Sequence, residues 1–292
     1  MTKPRLIAYS DAWTNFQALA QSQYDTIILS FLLPDGTLPG LLPWSMVENA
    51  GSNNGLQVLK DAGKTVLVSF GGDSVAPSTL DALFNSDAAM ATFTGQIAQL
   101  MKGGLITLGG KPWNFGPGFD GIDFDLEGFG DYTGPGTTSA WAEKLARLTQ
   151  ATRAAIGPGK IITHAPQTPY LLSNWSSETP TINAQALYSQ MMEQAGAQVD
   201  WLNVQCYANG EITPQITKAA FQALNAKWPG KIVLGKPLNP QTAGYLAPQV
   251  LCDDVIKPLA ALGNYAGTMV WEYILNGQAS PAWDAQLAAA QA

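Results

Sequence analysis

Phe119-Asp120-Gly121-Ile122-Asp123-Phe124-Asp125-Leu126-Glu127 is the stretch on which the reading of this chain turns. Ile122, Phe124 and Leu126 alternate with Asp123, Asp125 and Glu127, a period of two that predicts a β-strand with successive side chains on opposite faces. The three acids therefore share one face, neighbours roughly 6–7 Å apart on a backbone that rises ~3.3 Å per residue. Their mutual repulsion raises at least one pKa, which is how a carboxylic acid stays protonated near neutral pH to act as a general acid. An ordinary solvated strand face would also tolerate acids. Here, however, the sequence passes at once into Gly128-Phe129-Gly130-Asp131, a glycine-rich loop of the kind on which barrel enzymes place their chemistry. Asp120 has the opposite parity, which assigns it a structural role outside the barrel.

On either side of this strand the pattern repeats. Leu6–Tyr9, the continuous apolar run Asp25–Phe31, and Thr65–Phe70 precede it. Lys160–Ala165, Trp201–Tyr207, Lys231–Gly235 and Gly267–Tyr273 follow it. Such runs are typical of parallel strands buried on both faces. Helical stripes lie between them, such as Met90, Phe93, Ile97 and Leu100, closed by Gly103-Gly104. Asn183 opens one further helix, and Thr213-Pro214 is a cap-plus-proline start for the next. Eight strand-then-helix units predict an α/β fold, a closed (β/α)8 TIM barrel, as a single domain over residues 1–292. The length suits a fold that needs about 250 residues.

Composition narrows the function. With 46% hydrophobic and 13% charged residues there is ample material for a large core. The net charge of −7 argues against nucleic acid, whose phosphates demand basic patches. No apolar run approaches the ~20 residues of a membrane span, so no membrane partner is expected. One histidine, His164, excludes a multi-histidine metal site, and no metal or cofactor is expected. Cys206 and Cys252 form no disulfide framework, although one bridge is open to them. No signal-peptide core precedes the first strand. The protein is expected to be either a secreted mature form or intracellular, and to act as a monomer.

The acidic stretch also carries a resemblance. Asp120 to Glu127 matches, position for position, the DGxDxDxE signature of the family 18 glycoside hydrolases, the chitinase family. Ser69-Phe70-Gly71-Gly72 resembles that family's SxGG motif, Ala165-Pro166-Gln167 its APQ turn, and Val204-Gln205-Cys206-Tyr207-Ala208-Asn209 its VQFYNN. Trp271 stands where members keep a tryptophan on the last strand. Between Leu238 and Pro248 there is no room for the α+β insertion of larger relatives, which implies an open, shallow cleft suited to cutting within a chain.

The resemblance implies a retaining, substrate-assisted hydrolysis of chitin or chito-oligosaccharides, an exception to the usual two-carboxylate scheme. Glu127 would protonate the glycosidic oxygen, and Asp125 would hold the acetamido nitrogen. Asp123 would share a proton with Asp125, and Tyr207 would donate to the acetamido oxygen. No separate carboxylate is expected across the cleft. Trp271 would floor the site, with Gln205, Gln167 and Asn209 among the substrate-binding residues. Tyr9, Trp13 and Tyr170 are weaker stacking candidates, whereas Trp44 and Trp175 read as loop packing. His164 stands where relatives carry Met or Ala and is expected to point into the barrel beneath the acids, in either a structural or a catalytic capacity. Two alternatives remain open: an endo-β-N-acetylglucosaminidase acting on N-glycans, and a non-catalytic chitin-binding lectin on the same barrel. A metal-dependent barrel is disfavoured, because magnesium sites draw carboxylates from several strands and these lie on one.

Overall fold

The structure is a computed structural model that describes residues 3–11, 16–43, 55–129, 135–172, 186–209, 213–275, 278–279 and 281–292. Its apolar runs form eight barrel strands: β1 (Arg5–Ser10), β2 (Thr26–Pro34), β3 (Thr65–Gly72), β4 (Gly121–Leu126), β5 (Ile161–His164), β6 (Trp201–Gln205), β7 (Ile232–Pro237) and β8 (Gly267–Trp271). Each pairs in parallel with the next, and β8 pairs with β1 to close the ring. Closure removes sheet edges, so the strands carry apolar side chains on both faces. Ile7, Ile28, Leu67, Val233 and Met269 fill the interior, while Ile27, Val66, Ile122, Phe124, Leu202 and Leu234 join the larger shell between strands and helices.

The helices start and stop where local chemistry requires. Ser86 Oγ accepts from the Ala89 N–H to cap the Asp87–Lys102 helix, and Thr213 Oγ1 accepts from Ile216 to cap Pro214–Lys227. Among the described residues no helix is long and apolar enough to cross a membrane. The helix read around Val250–Leu262 is a composite, with a π-helical stretch Leu251–Ile256 between short α-helical turns. Asn183, read as a helix start, lies outside the described residues, and the helix there covers Leu187–Ala195. A feature absent from the sequence reading is the antiparallel hairpin Leu105–Leu108/Lys111–Asn114, turned by Gly109-Gly110 between the Asp87–Lys102 helix and β4. The chain passes from β7 to the next helix through residues 238–247 alone. Cys206 and Cys252 are both buried free thiols.

Asp120 takes the outward role its parity gave it. It pairs with Lys60 on the Gly55–Asp61 helix and accepts from the Val66 N–H at 2.8 Å. The tie fixes the start of β4 against β3, and with it the height of every acid further along.

Candidate active site

β3 and β4 run in register, Ser69 opposite Asp123 and Gly71 opposite Asp125. That register forces a close approach. A Cβ on Gly71, which has φ of 123°, would lie 1.9 Å from the Asp125 carbonyl oxygen. Asp123, Asp125 and Glu127 therefore climb the inside of the barrel towards the C-terminal ends of the strands, where barrel folds place their sites.

Asp123 is fully buried, yet well satisfied. Oδ2 accepts from Tyr9 and from Ser69, both at 2.8 Å, while Oδ1 accepts from Thr163 at 2.5 Å and Asn203 at 3.2 Å. Burial pushes its pKa up, and the four donors pull against that shift by solvating the charge. One step higher, Asp125 is turned to Glu127, with which it shares a hydrogen bond. The direct side-chain contact of Asp125 is thus with Glu127, its neighbour towards the mouth of the cleft. Desolvation raises the pKa of both, most strongly for Asp125, which also feels the charges of Glu127, Asp123 and Asp73. The pair holds a proton to higher pH than an isolated carboxyl could.

Gln205 organises this pair. Its Nε2 donates to Asp125 Oδ1 at 2.8 Å and to the Ala165 carbonyl at 2.9 Å, and lies 3.4 Å from Glu127 Oε1. Gln167 Nε2 donates to Glu127 Oε2 at 3.2 Å. Tyr207 follows β6 and is buried beside the acids, which together with desolvation push its hydroxyl well above its ordinary pKa, keeping it a donor. Its backbone is braced by Asn209 Nδ2 on the Tyr207 carbonyl at 2.7 Å and by the buried Lys236 on the Cys206 carbonyl at 2.8 Å. Asn209 therefore shapes the loop, with its amide engaged by backbone.

A cleft of about 230 Å³ opens above these groups, lined by Phe31, Gly72, Asp73, Asp125, Glu127, Gln205, Tyr207, Ala208, Thr242 and Trp271. Trp271, partly exposed, sits between Phe31 and Tyr9 with ring centroids 5.8 Å from each. Of the residues read from sequence, Asp125, Glu127, Gln205, Tyr207 and Trp271 meet here, with Gln167 bonded to Glu127 and Asp123 beneath. Other readings are corrected. Tyr9 is only 1% exposed, and its hydroxyl is committed to Asp123, so no face remains for a sugar. Tyr170 is buried against Phe129 and Tyr188, outside the barrel.

His164 is corrected as well. It pairs with Phe124, not with Asp123, and points outward. Nε2 lies 3.0 Å from Thr149 Oγ1 on the Pro135–Ile156 helix, and the ring packs on Phe124 and Tyr188. Full burial drives its pKa down to about 3, so it is a neutral core residue. Trp13, Trp44 and Trp175 lie outside the described residues.

The reading missed Asp73, a carboxylate on the cleft wall where none was expected. Its signal was positional, since it is the residue directly after the glycines that end β3. It also missed the pair Glu272–Asp11 beside Trp271. There burial and the neighbouring carboxyl push Glu272 up to about 8.

A closed (β/α)8 barrel that opens on a proton-holding carboxyl pair beside an aromatic floor is the scaffold of a glycosidase. The chain matches the model for glycosyl hydrolases family 18 over residues 5–250 and belongs to that family. A family 18 chitinase from Pseudoalteromonas aurantia is similar over 98% of this chain and 99% of its own, at 25% identity and a TM-score of 0.78. A fungal endo-β-N-acetylglucosaminidase of the same family matches over 98% and 97%, at 20% identity and a TM-score of 0.70. A tamarind chitinase-like lectin matches over 92% and 94%, at 15% identity and a TM-score of 0.57. The last two likenesses speak for the fold alone.

Proposed function

We propose that this protein is an endo-acting chitinase that hydrolyses β-1,4-linked N-acetylglucosamine polymers with retention, the substrate's own acetamide acting as nucleophile. The observation that carries the reading is the Asp125–Glu127 pair, held by Gln205 and Gln167 in a cleft shared with Tyr207 and Trp271.

Each group has a job that follows from its place. Glu127, uppermost on the strand, protonates the glycosidic oxygen, and its proton comes from a pair whose affinity burial has raised. As the acetamide oxygen attacks the anomeric carbon, positive charge grows on a cyclic oxazolinium ion, and Asp125 balances it while holding the acetamide N–H. Tyr207 donates to the acetamide oxygen and fixes its line of attack. Trp271 floors the sugar ring. Asp123, bonded to four donors, anchors the base of the acid row below Asp125. The short connection after β7 leaves the cleft without an added wall on that side, which suits internal sites of a polymer.

The test sets chito-oligosaccharides beside a high-mannose glycopeptide and reads the first-formed anomer by NMR. Cleavage of the oligosaccharides to the β-anomer, with fully deacetylated chitosan inert, is expected. An α-anomer shows direct attack by water and overturns the mechanism. Cleavage of the glycopeptide alone transfers the reading to an endo-β-N-acetylglucosaminidase, and binding without cleavage transfers it to a lectin.

A further inference from the structure

Asp73 stands directly after the two glycines that end β3, Gly71 with φ of 123° and Gly72 with φ of 78°. The last paired residues of β3 and β4 are Gly72 and Leu126. Asp73 and Glu127 are the residues that directly follow that pair, one on each chain segment. Asp73 is exposed and lies on the wall of the same cleft as Asp125 and Glu127. Its hydrogen bond from Ser74 Oγ, 3.1 Å, is local to the turn. No lysine or arginine is among the described residues that line that cleft.

We propose that Asp73 is a positioning residue of this site: its carboxylate, presented on the wall of the same cleft directly after Gly71–Gly72, holds the proton on the Asp125–Glu127 pair and sets the alkaline limit of catalysis. The role rests on the reading of Glu127 as the general acid. Its physics is through-space. A negative charge facing a carboxyl pair favours the protonated form, and Asp73 acts in this sense on both members.

The other groups facing the pair are accounted for. Asp123 adds its charge to Asp125 from below. Gln205 from β6 and Gln167 after β5 are neutral donors that favour the charged form of Glu127. Tyr207 stays protonated. Among the described carboxylates around the pair, Asp73 stands outside the acid strand, so it can be removed without disturbing β4. A wall carboxylate could instead attack the anomeric carbon itself, as in glycosidases with two catalytic carboxylates. The two roles predict opposite behaviour on substitution.

The experiment has a substrate-free arm and a kinetic arm. Protein labelled with 13C at glutamate carboxyls is titrated by NMR, with the Glu127 signal assigned by its loss in Glu127→Gln. In Asp73→Asn the Glu127 titration moves to lower pH, Asp73→Glu restores it, and the difference shrinks between about 0.05 and 1 M salt, as for any solvent-screened charge. On chito-oligosaccharides the alkaline limb of kcat/KM moves the same way, costing roughly two- to fivefold above neutrality and nothing at acidic pH, the scale of one screened charge.

An unmoved Glu127 titration overturns the proposal, whatever the activity does. A loss of about a hundredfold or more at every pH also overturns it, because that scale marks participation in the chemistry itself. Should the wild-type protein cleave no chito-oligosaccharide, the chitinase reading fails, while the NMR arm still decides whether Asp73 holds the proton.

Discussion

The Tyr9 hydroxyl donates a 2.8 Å hydrogen bond to Asp123 Oδ2, joining residues 114 apart in the chain across the inside of the barrel. The bond links β1 to β4, strands that are not neighbours in the sheet. Removing it leaves a fully buried carboxylate with three donors in place of four. Tyr9→Phe is expected to cost roughly 1–3 kcal/mol of stability, the usual penalty for stripping a donor from a buried charged acceptor. Asp123 should also protonate more readily, because the Tyr9 bond is among those that lower its pKa. Chemical denaturation measures the first effect. An undiminished stability would show that the interior relaxes around the lost hydroxyl.

Glu127→Gln keeps the shape of the side chain and an oxygen that can accept from one of Gln205 and Gln167, but it removes the transferable proton. Hydrolysis should fall by roughly 10²–10⁴-fold, the usual worth of general acid catalysis. Oligosaccharide binding, followed by calorimetry, should stay close to wild type. A variant that keeps more than about a tenth of the activity is incompatible with the assigned role.

His164→Met tests the outward placement of the imidazole. With a folded pKa of about 3 against 6.5 for the free group, the fold binds fewer protons at this position than the unfolded chain. Its stabilising contribution is therefore complete above 6.5 and is lost as pH falls towards 3. The wild type should lose melting temperature over that window faster than the variant does. The pH–activity profile between 5 and 8 should be the same for both, since the ring is neutral throughout. A shifted profile would place His164 in contact with the acids after all.

Glu272 offers the opposite sign. Its folded pKa of about 8 lies above the ordinary 4.5, raised first by burial and then by its hydrogen bond and charge contact with Asp11. The contribution is full below 4.5 and is lost as pH rises through 8. Glu272→Gln removes the ionisation but keeps a hydrogen-bonding group, so its melting temperature should gain on the wild type progressively from pH 5 to 8, with no gain at pH 4. Differential scanning calorimetry across that range checks the sign. Parallel curves would overturn the raised pKa of Glu272.

The barrel was legible because its strands are written as continuous apolar runs, and all eight appear within a few residues of the sequence boundaries. The hairpin Leu105–Asn114 was not read, although Gly109-Gly110 between β-favouring flanks is a hairpin signal. Its strands are short and half-exposed, so they lack the apolar run that betrays a barrel strand. Within the site, the acid strand announced itself by parity alone. Parity within one strand, however, does not fix register between strands. His164 was misplaced for that reason: Ile161-Ile162-Thr163-His164 has no clear alternation, and only the pairing of Thr163 with Asp123 shows which residues face inward. Tyr9 failed differently. Whether an aromatic ring is a buried donor or an exposed platform depends on what covers it, and nothing local in the sequence records that.

Gly71 shows how much of the site depends on an atom that is missing. A single methyl there would stand 1.9 Å from the Asp125 carbonyl oxygen, against backbone that cannot swing aside. To admit it, β3 and β4 would have to part, carrying Ser69 away from Asp123 and Asp73 away from Glu127. The glycine thus acts as a spacer gauge of zero thickness, setting the separation between two walls whose side chains must act on one another. A designer wishing to alter the acids can exchange them one at a time, but the gap between the walls has no adjustable setting at this position.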